Sequence, residues 1–253
     1  MVFSHLLEAP PHCSISMKYL IIGDPSGRHS LQLMSKGIDP KDIVVWEDTP
    51  KGQYCAKIRE VRVVDDLEEL KGMKFDVIIG NPPYGSGGNL AIKFLNKCSE
   101  LSDDVRLVLP LSVRKVSSLN KITKNIVCVV DEQLPDDTFP KGIKAVYQRW
   151  VHTDTPREKI ATHRTHKDFE FVKKEDNPDV MIFRCGASTG KLRFPGEFDD
   201  NKPDHYYIKA TPEVVNNLKA ISPRLIELST VQNGMPGVSK HELIETYIKH
   251  FGE

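Results

Sequence analysis

Short apolar runs, separated by stretches with helical spacing, occupy residues 17–153. Residues 18–23 (KYLIIG) are apolar almost throughout and end on the turn cluster Asp24-Pro25-Ser26-Gly27, which predicts a strand buried on both faces. Leu31, Leu33 and Met34 give residues 28–36 a helix-compatible spacing, and Gly37 supplies the stop. Further strands are expected over 42–46 (DIVVW), 61–64 (VRVV), 75–79 (FDVII), 106–109, 126–130 and 145–151, with helices over 54–59 and 90–101. Strands alternating with helices predict an α/β fold, a doubly wound, mostly parallel sheet of seven strands. Such sheets bind ligands beyond the carboxyl ends of their strands. Those ends carry Gly23-Asp24, Glu47-Asp48, Asp65-Asp66, Asn81-Pro82-Pro83-Tyr84 and Pro110-Leu111-Ser112.

The pattern changes after Asp154. Residues 154–180 are charged and weakly periodic, followed by strand-like pieces at 180–184 and 205–208 and helical stretches at 212–221 and 239–250. The expected organisation is a lead at 1–16, a sheet domain at 17–153 and a smaller α+β region at 154–253. Met17 stands directly before the first strand, so residues 1–16 are expected to be a disordered lead or a matter of start-codon choice.

Composition narrows the class only a little. Of the 253 residues, 39% are hydrophobic and 28% charged, the balance of a soluble globular protein. Lys and Arg number 35, as do Asp and Glu, so net charge exerts no general pull towards nucleic acid and leaves only a local basic groove open. Cys13, Cys55, Cys98, Cys128 and Cys185 form no CxxC pair and no metal-ligand spacing. They read as reduced thiols of a cytoplasmic protein, and no metal is expected. No apolar run approaches the ~18 residues of a membrane span.

Chemistry enters at Asn81-Pro82-Pro83-Tyr84, immediately after the apolar strand DVIIG. Taken alone this is a proline-rich turn from strand to helix. Yet its residues suit the activation of an exocyclic amine, a poor nucleophile because its lone pair is delocalised into the ring. The Asn81 side-chain oxygen and the Pro82 carbonyl make two acceptors for the amine's N–H bonds. Together they draw the nitrogen towards tetrahedral geometry and stabilise the positive charge that builds on it. Pro82 and Pro83 stiffen the turn and remove competing N–H donors. The Tyr84 ring offers a stacking face for a planar target, which helps offset the few kcal/mol needed to flip a base out of a duplex.

FDVIIGNPPYG resembles motif IV of the S-adenosylmethionine-dependent amino-methyltransferases acting on adenine, and of relatives that methylate glutamine in proteins. Strand one with its turn, Glu47 and Asp65/Asp66 follow in that family's order. Downstream, VRLVLPLSVRK, the acidic-aromatic loop DEQLPDDTFPKG and AVYQRWVHT are similar to adenine methylases of restriction–modification systems and their phage relatives. The likeness spans about residues 17–153. It implies S-adenosylmethionine as cofactor, DNA (duplex in the first instance) as partner, a catalytic domain at 17–153 and a target-recognition region at 154–253. Asn81, Pro82 and Tyr84 would be catalytic. Gly23, Asp24 and Gly27 would form the turn under the cofactor's methionine part, Glu47 would hold its ribose, and Asp65 or Asp66 its adenine amine. Pro83, Lys141 and Lys144 would meet the substrate. Two features depart from the pattern: His29 stands where a second glycine is usual, and no cofactor-wrapping segment is recognisable before strand one. Within the family, adenine in RNA or a protein glutamine are the alternative substrates, and the two departures motivate a third reading, a binding module without catalysis. The few residues before the sheet argue against the glutamine option, and a monomeric methylase without its own nuclease is expected.

Residues 141–174 hold nine Lys and Arg against four acids, a run that either lines a duplex or forms a solvated face. GASTGK at 186–191 lacks the spacing of a phosphate loop and reads as an ordinary loop. The polar, glycine-rich segment 232–240 precedes the last helix, which Ser239 opens in a capping box with Glu242.

Overall fold

The computed structural model describes residues 17–198, 204–230 and 236–252, and the chain divides into two compact units, 1–160 and 161–253. The division falls after Ile160 rather than at the expected 153/154, because residues 154–160 are tied to the first unit. Arg157 Nη2 donates to the carbonyls of Leu119 and Ile122, each at 2.6 Å. The Asn120 amide pairs with the backbone of Ile160 through both its oxygen and its nitrogen, at 2.9 and 2.8 Å.

The first unit contains strands β1 (Tyr19–Ile22), β2 (Ile43–Trp46), β3 (Arg62–Val64), β4 (Val77–Gly80), β5 (Asp104–Pro110), β6 (Ile126–Gln133) and β7 (Ala145–His152). Its helices are α1 (Arg28–Ser35), α2 (Pro50–Ile58), α3 (Asn89–Leu101) and the single turn α4 (Val116–Leu119). The seven strands form one sheet in the order β3-β2-β1-β4-β5-β7-β6. β1 to β5 run parallel, and β7 lies antiparallel between β5 and β6. β1, β2 and β4 are buried at every position, which is why each reads as a continuous apolar run. This is the doubly wound, mostly parallel α/β sheet expected from the sequence. Strand order reverses between β1 and β4, and that switch point places the site.

α2 begins four residues before the expected start. Thr49 caps it, accepting from the Gly52 amide at 3.2 Å, and Pro50 fills the first helical position, where its missing N–H costs nothing.

The second unit has strands β8 (Phe169–Val172), β9 (Val180–Phe183), β10 (Leu192–Arg193) and β11 (His205–Ala210), antiparallel in the order β10-β9-β11-β8. Helices α5 (Pro212–Ser229) and α6 (Lys240–Phe251) complete it. Its own core includes Phe169, Val180, Ile182, Ile208, Leu218, Ile221, Leu225, Leu243 and Tyr247. α5 continues past the expected end at Ile221 and runs through Pro223. A proline inside a helix costs about 3 kcal/mol. Burying Leu225 beyond it returns about 1.5–3 kcal/mol, and with Ser229 also buried that part of the helix stays anchored. Ser239 and Glu242 form the expected capping box at α6.

Candidate active site

Four parallel strand ends meet at the switch point, and backbone hydrogen bonds carry their alignment into the loops. Gly23 N donates to Trp46 O at 2.9 Å, Glu47 N to Val64 O at 2.9 Å, and Asn81 N to Ile22 O at 2.8 Å. Gly23 has φ +74°, and a Cβ there would lie 2.8 Å from the Asn81 carbonyl oxygen. Only glycine lets the turn after β1 pass this close to the loop after β4.

In that loop Pro82 is buried, while Asn81, Pro83 and Tyr84 are half-buried. The Asn81 side-chain oxygen is buried and has no hydrogen-bond partner among the described residues. The Tyr84 hydroxyl is likewise buried without a partner, and burial pushes its pKa well up. The Tyr84 ring packs against the core cluster that includes Ile79, Val108 and Tyr147. Its carbonyl accepts from Leu90 N and Ala91 N at 3.1 and 3.3 Å, fastening the loop to the first turn of α3.

The turn after β1 is organised by two buried carboxylates, each 2% exposed. Asp24 accepts from the backbone amides of His29 (3.1 Å) and Ser30 (2.9 Å), so it occupies the N-terminus of α1. The buried His29 imidazole lies with Nδ1 3.4 Å from Asp24 Oδ1. Burial works against the Asp24 charge, but the hydrogen bonds from His29 and Ser30 outweigh it and hold the carboxyl below its ordinary pKa. His29, at the position where the resembled motif has glycine, thus sets its imidazole against the Asp24 carboxylate. Glu47 accepts from Asp24 N at 2.8 Å through Oε2, and from Thr49 N and Oγ1 at 2.9 and 2.6 Å through Oε1. A carboxylate has about four lone-pair sites, and Oε2 keeps one of its two.

Asp65 and Asp66 are both exposed but differ in use. Asp66 Oδ1 caps the short turn of residues 67–70, accepting from Glu68 N at 2.9 Å. The Asp65 carbonyl takes the Trp46 indole N–H at 2.9 Å, and its carboxylate is not part of that cap.

Two side chains at this site carry no obvious motif. Thr49 joins Glu47 to the start of α2, and its Thr-Pro signature is legible as a helix start. Arg59 follows α2, and its guanidinium lies against the left-handed Gly27 (φ +65°), where any Cβ would collide with it. No sequence signal marks Arg59, because the contact joins separate elements.

The basic run at 141–174 does not act as one surface. Arg149 is paired with Asp104 at 2.9 Å, beside Arg106, and Arg157 is held by the carbonyls described above. Lys144 is half-buried, and its carbonyl accepts from Leu111 N at 3.0 Å. The Lys141 side chain and residues 232–235 lie outside the described residues. In the 186–191 loop, Thr189 Oγ1 donates to the Gly186 and Pro236 carbonyls, and the amides of Gly186, Thr189, Gly190 and Lys191 all donate to protein carbonyls. Those amides are spent inside the protein rather than offered to a phosphate.

A family model described as Eco57I restriction-modification methylase matches residues 33–129. The fold is similar to TrmN from Thermus thermophilus (16% identity, TM-score 0.44), with 54% of this chain and 44% of that chain covered. It is similar too to the M protein of the type I restriction enzyme EcoKI (14% identity, TM-score 0.44; 58% and 41% covered). The tRNA methyltransferase TrmK of B. subtilis aligns at 17% identity and TM-score 0.41, with 55% and 61% covered. The chain therefore spans less than half of the first two of these proteins. A search of curated proteins finds no match. No helix among the described residues is long and apolar enough to cross a membrane. The matched stretch, residues 33–129, runs from α1 into β6 and encloses the Asn81-Pro82-Pro83-Tyr84 loop, so the likeness to the Eco57I restriction-modification methylase family rests on the part of the chain that carries this loop.

Proposed function

We propose that this protein is an S-adenosylmethionine-dependent methyltransferase acting on the exocyclic amino group of adenine in DNA. The observation that carries this reading is the buried Asn81 side-chain oxygen without a partner, in a proline-stiffened loop at the sheet's switch point. Leaving such an acceptor unsatisfied costs about 1–3 kcal/mol. An incoming amine satisfies it.

The donor set at the neighbouring strand ends fits the cofactor. Glu47 keeps a lone pair for a ribose hydroxyl, and the exposed Asp65 accepts from an adenine amine. Asp66 is taken up by its cap, so Asp65 is the better placed of the two. Asp24 acts by holding the turn Gly23–Gly27 against α1, and the Arg59 guanidinium beside Gly27 supplies a positive charge for the cofactor's carboxylate. When bound, S-adenosylmethionine supplies a methyl group activated on a sulfonium. Asn81 Oδ1 and the Pro82 carbonyl accept the two N–H bonds of the target amine, and the charge that develops on nitrogen strengthens both bonds in the transition state. The exposed part of the Tyr84 ring, together with Pro83, offers the base an apolar surface. Lys141 and Lys144 remain candidates for the phosphates.

Asn81→Ala tests the central role. Turnover on DNA is expected to fall by at least about a hundredfold, while cofactor affinity measured by calorimetry stays within about twofold, because the amide acts mainly in the transition state. Retained turnover in a folded Asn81→Ala protein removes Asn81 from the mechanism. A wild-type protein that gives no heat and no thermal shift with S-adenosylmethionine is a binding module instead.

A further inference from the structure

In the second unit, α6 and the extended chain leading to β8 bring together three side chains that ligate metals. His241 and Glu245 stand four residues apart and share one face of α6. His163 joins them, so that one potential ligand atom from each residue lies within 4.8 Å of the others, and all three residues are half-buried. His163 Nε2 is 3.5 Å from Glu245 Oε2. That is longer than the ~2.7–2.9 Å of a charged hydrogen bond. Ligands of a tetrahedral ion with bonds of ~2.0–2.2 Å stand about 3.4 Å apart, so the spacing suits two ligands of one ion.

The surroundings orient the set. Glu245 Oε1 takes Lys249 Nζ at 3.2 Å, leaving Oε2 turned to His163. The His163 and His241 rings stack with centroids 5.7 Å apart. His241 Nδ1 accepts from the His163 backbone amide at 3.1 Å, which holds the His241 ring against the segment that carries His163. An ion coordinated at Nδ1 exchanges this hydrogen bond for a metal bond.

We propose that His163, His241 and Glu245 bind a divalent transition ion of the zinc class, with water as the fourth ligand. Two imidazoles and one carboxylate form a donor set such ions accept, and three protein ligands leave one position open. The ion fastens the segment beginning at Ala161 onto α6. That segment supplies Arg164 and Lys167 to an open groove that Phe171, Lys209 and Lys240 also line, so the ion fixes one wall of it.

The test is titration of Co2+ into the full-length protein, followed by displacement with Zn2+. One ion per chain is expected, with visible cobalt bands and without the near-ultraviolet sulfur-to-cobalt band that a cysteine site gives. His241→Ala and Glu245→Gln are each expected to weaken binding by at least about tenfold, with unchanged circular dichroism. If His241→Ala misfolds, His163→Ala gives the same reading from outside the helix. Absence of stoichiometric binding, a thiolate band, or unchanged affinity in the folded variants overturns the proposal.

Discussion

At the scale of single residues, the loop after β4 holds two buried polar atoms without partners, Asn81 Oδ1 and the Tyr84 hydroxyl, and they are expected to answer differently to substitution. The Asn81 oxygen is assigned to the substrate. The Tyr84 ring is assigned to packing and stacking, with no task for its hydroxyl. Tyr84→Phe should therefore leave stability unchanged or raise it by about 1 kcal/mol, since it removes a buried group that carries a desolvation cost. Methyl transfer should persist in that variant, while Tyr84→Ala should cost about 3–5 kcal/mol. Denaturant melts with parallel transfer assays check this, and loss of transfer in Tyr84→Phe gives the hydroxyl a role. Gly23→Ala combines a left-handed backbone with a Cβ 2.8 Å from the Asn81 carbonyl. It should cost about 1–3 kcal/mol in the same melts and depress turnover by displacing Asn81. The Asp24 carboxyl is held below its ordinary pKa, so its contribution is complete above ~3.9, the unfolded value. That contribution is lost as pH falls through the lowered folded value. Asp24→Asn should therefore flatten the fall in stability as pH drops below about 3.9, and an unchanged acid limb assigns that fall to other carboxylates.

At the scale of elements, the strands of the sheet were legible because β1, β2 and β4 are buried throughout and leave no polar interruption. The Asn81–Tyr84 loop was legible because its residue types are rare in that order. Other features were hidden by physical causes. β8 has only Phe169 fully buried, so its alternation is faint, and β10 is two residues long. α5 crosses Pro223 because tertiary burial overrides the local signal to stop. The three-residue cluster at α6 was half-hidden: His241 and Glu245 have helical spacing, but His163 comes from another segment, and no metal was expected from the sequence. Thr49 shows how an element boundary reaches the site, since one hydroxyl accepts from Gly52 N and donates to Glu47. Thr49→Val should cost about 0.5–2 kcal/mol as a lost cap. It should also weaken cofactor binding by releasing Glu47. Calorimetry reads the second effect, and unchanged affinity separates the cap from the site.

At the scale of the whole molecule, the two units hold separate hydrophobic cores, one around the parallel sheet and one between the antiparallel sheet and α5 and α6. Scanning calorimetry is expected to resolve two transitions, and a single cooperative one would show the cores melting together. The net charge of zero proves compatible with a basic stretch because part of that stretch serves the fold: Arg149 neutralises Asp104, and Arg157 ties down carbonyls. Counting cations along the chain cannot separate these from residues free to meet phosphate, since the pairing partners are distant in sequence. The most direct measurement is transfer of labelled methyl from S-adenosylmethionine to unmethylated duplex DNA, with RNA and protein extract in parallel and the product base identified. Label recovered as N6-methyladenine in DNA, and lost in Asn81→Ala, is the expected result. Label found only on RNA or protein, or transfer to DNA that survives Asn81→Ala, contradicts it.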